Sequence, residues 1–199
     1  MGARLIAIAG CSASGKSSVA AGVIEALGHE RASLFELDWY YRDISTRSEE
    51  YRENYNFDHP DALDGEFLST NLVSLLGGQS VARPVYSYAD QSRTFGDEMI
   101  ESRPVIVCEG IHALVLPQLR ARASLAVFVD APLDVRFERR LKRDVERRGL
   151  REQLVRHQIE NFVRPMEQRY VLPSRAFAHI VVNGLDPLDN SIGTIMEAI

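Results

Sequence analysis

The segment Gly10-Cys11-Ser12-Ala13-Ser14-Gly15-Lys16-Ser17 constrains this chain more than any other stretch. Before it, residues 4–9 form an apolar run of the length of a buried strand. After it, residues 18–28 read as a helix that closes on Gly28. The pattern G-x-x-x-x-G-K-S between a strand and a helix is a phosphate-binding loop. Glycines let successive backbone N–H groups turn toward one anion, and the helix N-terminus adds partial positive charge. Lys16 is placed to reach the β- and γ-phosphates of a nucleoside triphosphate, and the Ser17 hydroxyl to ligate Mg²⁺. The candidate triphosphate ligands are therefore Gly10, Ser12, Ala13, Ser14, Gly15, Lys16, Ser17 and Ser18.

The bulk numbers narrow the class. With 199 residues, 45% of them hydrophobic and 26% charged, the chain suits one domain over residues 1–199 with an ample core. No apolar run approaches the roughly 18 residues of a membrane span. Residues 4–9 already read as the first strand, so no signal or transit peptide is expected. Cys11 and Cys108 fall in the phosphate loop and in an apolar strand, so no disulfide framework is expected. A cytoplasmic protein without membrane contact is the expectation. The net charge of −5 argues against a general nucleic-acid binder.

Further strands are expected at residues 33–37, 104–108, 125–129 and 179–183, with helices at 113–122, 133–148 and 151–164 between them. This alternation implies a three-layer α/β/α fold around a parallel five-stranded sheet. Residues 42–93 break the pattern. They are polar, rich in Tyr, Asp and Asn, and carry one clear helix at 66–76. An insertion of that length suggests a substrate-binding module.

Phosphoryl transfer needs a metal-organising carboxylate, a base for the acceptor hydroxyl and cations over the γ-phosphate. Glu109 closes one apolar strand and suits the metal, alongside Ser17 and Asp38, although a helix N-terminal carboxylate favoured by the macrodipole explains the same position. Asp38 closes another and suits the base, although a turn or N-cap role explains the same position. Residues 136–156 hold nine of the 23 Lys and Arg against four acids, a charge of +5. Arg136, Arg140, Arg143 and Arg147 recur along one helix face, and Phe137, Leu141 and Val145 form an apolar stripe able to pack on the body. Guanidiniums in line repel unless an anion lies beneath them, so this segment reads as a lid over the triphosphate. A solvated basic face or an RNA-contacting patch is the plainer account. Within the insertion, residues 56–64 and 85–93 combine aromatic, acidic and amide groups that could stack on a ring and bond a sugar.

Taken together these stretches resemble the uridine kinase (uridine–cytidine kinase) family of P-loop kinases over nearly the whole length. The resemblance rests on the phosphate loop, Asp38 with its following aromatics, and Tyr55-Asn56-Phe57-Asp58-His59-Pro60-Asp61-Ala62. It continues through Pro84-Val85-Tyr86, Glu109-Gly110-Ile111, Arg139-Arg140-Leu141-Lys142-Arg143-Asp144 and Gln158 with Phe162-Val163-Arg164-Pro165. It implies that Asp38 deprotonates a ribose 5′-hydroxyl, with Lys16 as its catalytic partner at the phosphates. It implies that Ser17, Asp38 and Glu109 organise Mg²⁺, and that Arg139 and Arg143 meet ATP. The nucleoside would lie among Tyr41, Phe57, Asp58, Tyr86, Gln91, Arg140, Arg148 and Gln158. Tetrameric assembly is a property of the family.

Three departures bear on this. Ser87 and Gln91 stand where the family often has Asp and a base-reading His; the Gln91 amide offers both a donor and an acceptor. Leu150 replaces an expected lid arginine, and Asn183-Gly184 replaces a more usual Pro-Arg-Gly near the adenine side. The expectation is an enzyme that moves the γ-phosphate of ATP or GTP to the 5′-hydroxyl of a pyrimidine ribonucleoside, in pyrimidine salvage. A kinase of another small hydroxyl metabolite and a non-catalytic nucleotide-binding module are the competing readings.

Overall fold

A computed structural model of the chain describes residues 2–146 and 149–199. Strand β1 (Arg4–Ala9) leads through the phosphate loop into α1 (Lys16–Leu27), followed by β2 (Ala32–Glu36) and a 3₁₀ turn at Leu37–Tyr40. The inserted region carries α2 (Glu49–Glu53), α3 (Gly65–Leu76) and strands β3 (Val81–Ser87) and β4 (Ser92–Ile100). Then come β5 (Val105–Glu109), α4 (Pro117–Arg120), β6 (Ala123–Asp130) and α5 (Leu133–Glu146). Next are α6 (Glu152–Gln158), α7 (Arg164–Met166) and α8 (Leu172–Ser174), and finally β7 (Ile180–Asn183) and α9 (Leu188–Met196).

The main sheet has the order β2-β5-β1-β6-β7, and its neighbours pair in parallel. Side chains alternate across a strand, and both faces of these strands are apolar. Leu5, Ala7 and Ala9 of β1 join Ile106, Phe128, Leu68, Leu72 and Leu75 in one core layer. Ile6 and Ile8 join Val107, Val127, Val19, Val23 and Ile195 in the other. Helices α1 and α9 cover one face and α3 the other, which is the expected three-layer α/β/α arrangement. Each such buried aliphatic side chain contributes about 1.5–3 kcal/mol. The chain leaves β1 toward β2 on one side and later returns to β6 on the other. The crevice beyond the carboxyl ends of β1 and its neighbours is therefore the expected ligand site.

Several expectations need correction. Of residues 113–122 only Pro117–Arg120 is helical. A proline disfavours helical geometry in the residue before it, so Pro117 starts this helix rather than sitting within it. The helix expected at 151–164 instead runs on as α6, α7 and α8, joined by π-helical turns at Ile159–Val163 and Glu167–Val171. Pro165 and Pro173 each lack an N–H and crowd the preceding turn, and the widened turns accommodate them. The insertion holds more than one helix. Its β3–β4 ribbon is a separate antiparallel pair with a register shift between Ala82 and Pro84. Pro84 obscures that strand in the sequence, yet an edge ribbon tolerates it. Asp38 sits within the 3₁₀ turn, not at the end of a strand. Phe137, Leu141 and Val145 pack with Val155, Ile159 and Val163 in a cluster of their own, not on the body. The helix expected at 133–148 is present over Leu133–Glu146, and Arg147 and Arg148 lie outside the described residues.

Cys11 and Cys108 are both free and buried. Among the described residues no helix is long and apolar enough to cross a membrane.

Candidate active site

The phosphate loop owes its shape to left-handed backbone at Ala13 (φ 62°) and Gly15 (φ 103°), the latter at the N-terminus of α1. That turn places Lys16 and Ser17 in the first helical turn, beside the last residue of β5. The Ser17 hydroxyl donates to Glu109 Oε1 at 3.0 Å, and Lys16 Nζ lies 3.6 Å from Glu109 Oε2. Burial works against the Lys16 charge, but the carboxylates of Glu109, Asp38 and Glu36 outweigh it and raise its pKa. Crowding acts the other way on Glu36. Burial, with Glu109 and Asp38 nearby, pushes it to about 7.

A cleft of about 710 Å³ opens over this group, lined by Ala13, Gly15, Lys16, Ser17, Ser18 and, across it, Arg139, Arg143, Asn183 and Gly184. Ser14 is buried, and its hydroxyl has no hydrogen-bond partner. Gly10 is buried behind the loop, where an added Cβ would lie 2.5 Å from the Val129 carbonyl oxygen. Both terminal nitrogens of Arg139 donate to the Gly184 carbonyl at 3.2 Å. The turn after β7 thus forms the far wall of the nucleotide cleft.

The lid arginines do not share one role. Arg136 is buried; it donates to both oxygens of Glu167 at 2.8 and 2.7 Å and to the Ala131 carbonyl at 3.0 Å. It anchors the lid and does not face the cleft. Arg140 donates to the Ser12 hydroxyl at 2.8 Å and lies 3.3 Å from Asp144 and 3.7 Å from Asp58. Arg143 donates to Asp144 at 2.8 Å. The face is therefore not a bare row of guanidiniums, because buried Asp144 neutralises part of it. The spacing of Arg140 and Asp144 was a readable sign of that pairing. Glu167, in a distant π-turn, left none.

On the other side of Asp38 the insertion builds an aromatic wall. Tyr41 packs against Phe57 (5.3 Å between ring centroids), Tyr86 (5.5 Å) and Tyr88 (6.2 Å), and Tyr86 against Tyr88 (5.4 Å). The Tyr88 hydroxyl donates to Asp38 Oδ2 at 2.7 Å. Tyr88 follows the alternation of Tyr86 and is a site neighbour that the motif comparison passed over. Asp58 is buried beside Arg140. Burial raises its pKa, and Arg140 opposes the rise. His59 accepts from the Asp61 amide and meets the Tyr170 hydroxyl at 3.1 Å, which makes it a brace for the Asp58 loop. His112 is buried nearby, beside the Asp58 backbone and within the field of Asp38.

Gln91 occupies a left-handed position (φ 55°) in the ribbon turn. Its amide nitrogen donates to the Arg52 carbonyl at 3.3 Å, while its Oε1 is buried without a partner. Gln158 is half-buried at the end of α6, and Arg148 lies outside the described residues.

The donor set at Glu109 and Ser17, a carboxylate and a hydroxyl with one carboxylate oxygen free of hydrogen bonds, suits a hard cation held jointly with phosphate oxygens and water. Among the described residues no group of three or more His, Cys, Asp or Glu forms a closed metal cage. The Glu109–Ser17 donor set fits Mg²⁺ carried in with a nucleotide.

Residues 5–190 match the model of the phosphoribulokinase/uridine kinase family. The chain is 43% identical over 180 residues to a uridine kinase of Chloroflexus aurantiacus, covering 90% of this chain and 86% of that one. It is 42% identical over 182 residues to a uridine kinase of Histophilus somni, covering 89% and 85%. In fold it is similar to phosphoribulokinase from Rhodobacter spheroides, with a TM-score of 0.66 at 15% identity over 94% of this chain and 74% of that one. A phosphate loop facing a carboxylate–hydroxyl pair under an arginine lid, with these relatives, identifies an ATP-dependent phosphotransferase: the chain belongs to the phosphoribulokinase/uridine kinase family.

Proposed function

We propose that the protein transfers the γ-phosphate of ATP, or of GTP, to the 5′-hydroxyl of a pyrimidine ribonucleoside, giving UMP or CMP in a salvage step. The observation that carries this reading is the position of Asp38. One hydrogen bond joins it to the aromatic wall, and its charge acts on Lys16 at the phosphates. A carboxylate between a ring-accepting pocket and a phosphate loop is where a base for a sugar hydroxyl is needed.

In this reading Asp38 takes the proton of the acceptor hydroxyl. Lys16, Arg139 and Arg143 offset charge on the transferring phosphoryl group. Ser17, Asp38 and Glu109 would hold Mg²⁺, whose positive charge would offset that of the phosphates. Asp58, balanced by Arg140, accepts from the ribose diol, and Tyr41, Phe57 and Tyr86 receive the base. The unpartnered Gln91 Oε1 suits a base N–H donor, with the amide reading either pyrimidine after rotation. The resemblance assigns Gln158 and Arg148 to the nucleoside as well, Arg148 lying outside the described residues, and a homotetramer in the cytoplasm is the working assembly.

The test is an acceptor panel of uridine, cytidine, purine nucleosides, pantothenate and simple sugars, with ATP or GTP and Mg²⁺. The expected result is nucleoside monophosphate from uridine or cytidine alone. A sugar or pantothenate as the preferred acceptor would point to the other small-metabolite kinases of this fold.

A further inference from the structure

We propose that Tyr170 sets sugar selectivity from outside the acceptor pocket: through His59 it holds the Asp58 carboxylate short of Arg140 and so keeps it for a vicinal diol. This deepens the proposed function and rests on the reading of Asp58 as the acceptor from the ribose hydroxyls.

The contact is a defined hydrogen bond. His59 Nδ1 accepts from the Asp61 amide at 3.1 Å, so that nitrogen carries no hydrogen. The neutral imidazole then has its hydrogen on Nε2, which donates to the Tyr170 hydroxyl oxygen at 3.1 Å. The two rings also meet edge-on, with centroids 5.3 Å apart and planes at 81°.

Tyr170 itself stands on firm footing. It lies in the π-helical turn Glu167–Val171, whose two end residues are buried. Glu167 of that turn accepts from the Ser12 amide at 3.0 Å and pairs with Arg136. One widened turn therefore reaches the phosphate loop with its first residue and the acceptor loop with its fourth. Widened turns of this kind gather at functional sites.

What the brace controls is the residue before His59. The backbone at His59 is extended (φ −79°, ψ 138°), and in extended chain neighbouring side chains leave on opposite sides. Fixing the imidazole against Tyr170 thus fixes the direction in which Asp58 leaves. Asp58 is buried, and its Oδ1 lies 3.7 Å from Arg140 Nη1, beyond hydrogen-bond reach. That nitrogen donates instead to the Ser12 hydroxyl at 2.8 Å. A shift of about 1 Å would bring Asp58 and Arg140 into a charge-assisted hydrogen bond.

Selectivity follows from that gap. A buried acceptor left unmet penalises a ligand that lacks the matching hydroxyl. Held off Arg140, Asp58 depends on the hydroxyls of the acceptor, and a 2′-deoxynucleoside is rejected. Free to move, it satisfies itself on Arg140, and the penalty for a missing hydroxyl falls.

Tyr170→Phe keeps the ring and removes the hydroxyl. The experiment compares kcat/KM for the better of uridine and cytidine with that for its 2′-deoxy counterpart, using ATP and Mg²⁺. Wild type should favour the ribonucleoside by tenfold or more. Tyr170→Phe should cut that ratio by fivefold or more, chiefly through a higher KM for the ribonucleoside, with the KM for ATP changed less than twofold. His59→Asn keeps an acceptor for the Asp61 amide but does not reach Tyr170, so it should give the same loss. Adding it to Tyr170→Phe should cost little more, because both break one contact. A general loosening of the fold lowers both nucleosides alike and leaves their ratio intact, and that result overturns the inference. If Asp58→Ala erases the ribonucleoside preference while Tyr170→Phe keeps it, the inference falls alone and the Asp58 reading stands. If wild type does not discriminate, or Asp58→Ala keeps the wild-type ratio, the Asp58 reading falls and the inference with it.

Discussion

Glu167 and Arg136 meet in the protein interior, with one guanidinium nitrogen donating to both carboxylate oxygens at 2.8 and 2.7 Å. Glu167 Oε1 also accepts from the Ser12 backbone amide at 3.0 Å. A single buried carboxylate therefore ties the phosphate loop to the root of the lid helix and to a π-turn of the long C-terminal helix. Breaking such a pair from one side strands a buried charge, which costs about 3–5 kcal/mol. Arg136→Met should accordingly lower Tm by several degrees or more. Glu167→Gln strands the Arg136 guanidinium in turn and should lower Tm as well, although its amide oxygen can still accept from Ser12. The double variant Arg136→Met/Glu167→Gln leaves neither charge unpaired and should lose less than the sum of the two; thermal unfolding of all three checks this, and additive losses would count against the stranded-charge account.

Gly184 joins three walls of the cleft. Its amide donates to the Asp130 carbonyl at 2.6 Å, its carbonyl accepts from Arg139, and an added Cβ would lie 2.0 Å from the Ser14 carbonyl oxygen. No rotamer relieves a clash between a Cβ and backbone. Gly184→Ala should push the phosphate loop and the β7 turn apart and weaken ATP binding by tenfold or more, measured by calorimetry. Gly78→Ala, where nothing lies within 4 Å of an added Cβ, is the contrasting control, although its positive φ of 93° carries its own backbone cost.

Asp38→Ala and Lys16→Ala should each reduce turnover by several orders of magnitude, and for different reasons. Proton transfer by a positioned base contributes about 10²–10⁴-fold. Losing it should lower kcat while ATP still binds, because Asp38 is not among the residues that line the cleft over the phosphate loop. Lys16 sits in the phosphate loop against Glu109, so its loss should weaken ATP binding as well. Turnover of Asp38→Ala near the wild-type rate would remove Asp38 from the base role.

The sequence carried the parts of this architecture that obey local rules. The alternation of Leu5, Ala7 and Ala9 with Ile6 and Ile8 encodes a strand buried on both faces, and the phosphate loop is a contiguous motif. What escaped depends on distant partners. Arg136 reads like its neighbours along the helix until Glu167, thirty-one positions on, takes it out of the cleft. The β3–β4 ribbon was hidden because β3 is interrupted by Pro84 and β4 is exposed and largely polar. Two prolines concealed the length of the C-terminal helix, which keeps going by widening its turns. The Tyr88–Asp38 contact crosses fifty positions, and only folding reveals it.

His112 links stability to pH. Burial, only partly opposed by Asp38, depresses its pKa from 6.5 to about 4. The unfolded chain thus binds a proton below pH 6.5 that the folded chain refuses until about pH 4. Stability from this group is complete above 6.5 and falls as pH drops through that window. At roughly 1.4 kcal/mol per unit, the full effect is about 3 kcal/mol as an upper figure. Glu36 works in the opposite sense: its pKa is raised from 4.5 to about 7, so its contribution is lost as pH rises through that range. The raw pH profile mixes both, and the informative quantity is the difference between wild type and His112→Leu. Leucine fills a similar buried space without a titrating group. The variant should match or exceed wild type at pH 5 and lose that advantage by pH 7.5. Denaturant unfolding at the two pH values measures it; a pH-independent difference would mean that His112 stays neutral in the unfolded chain or charged in the folded one.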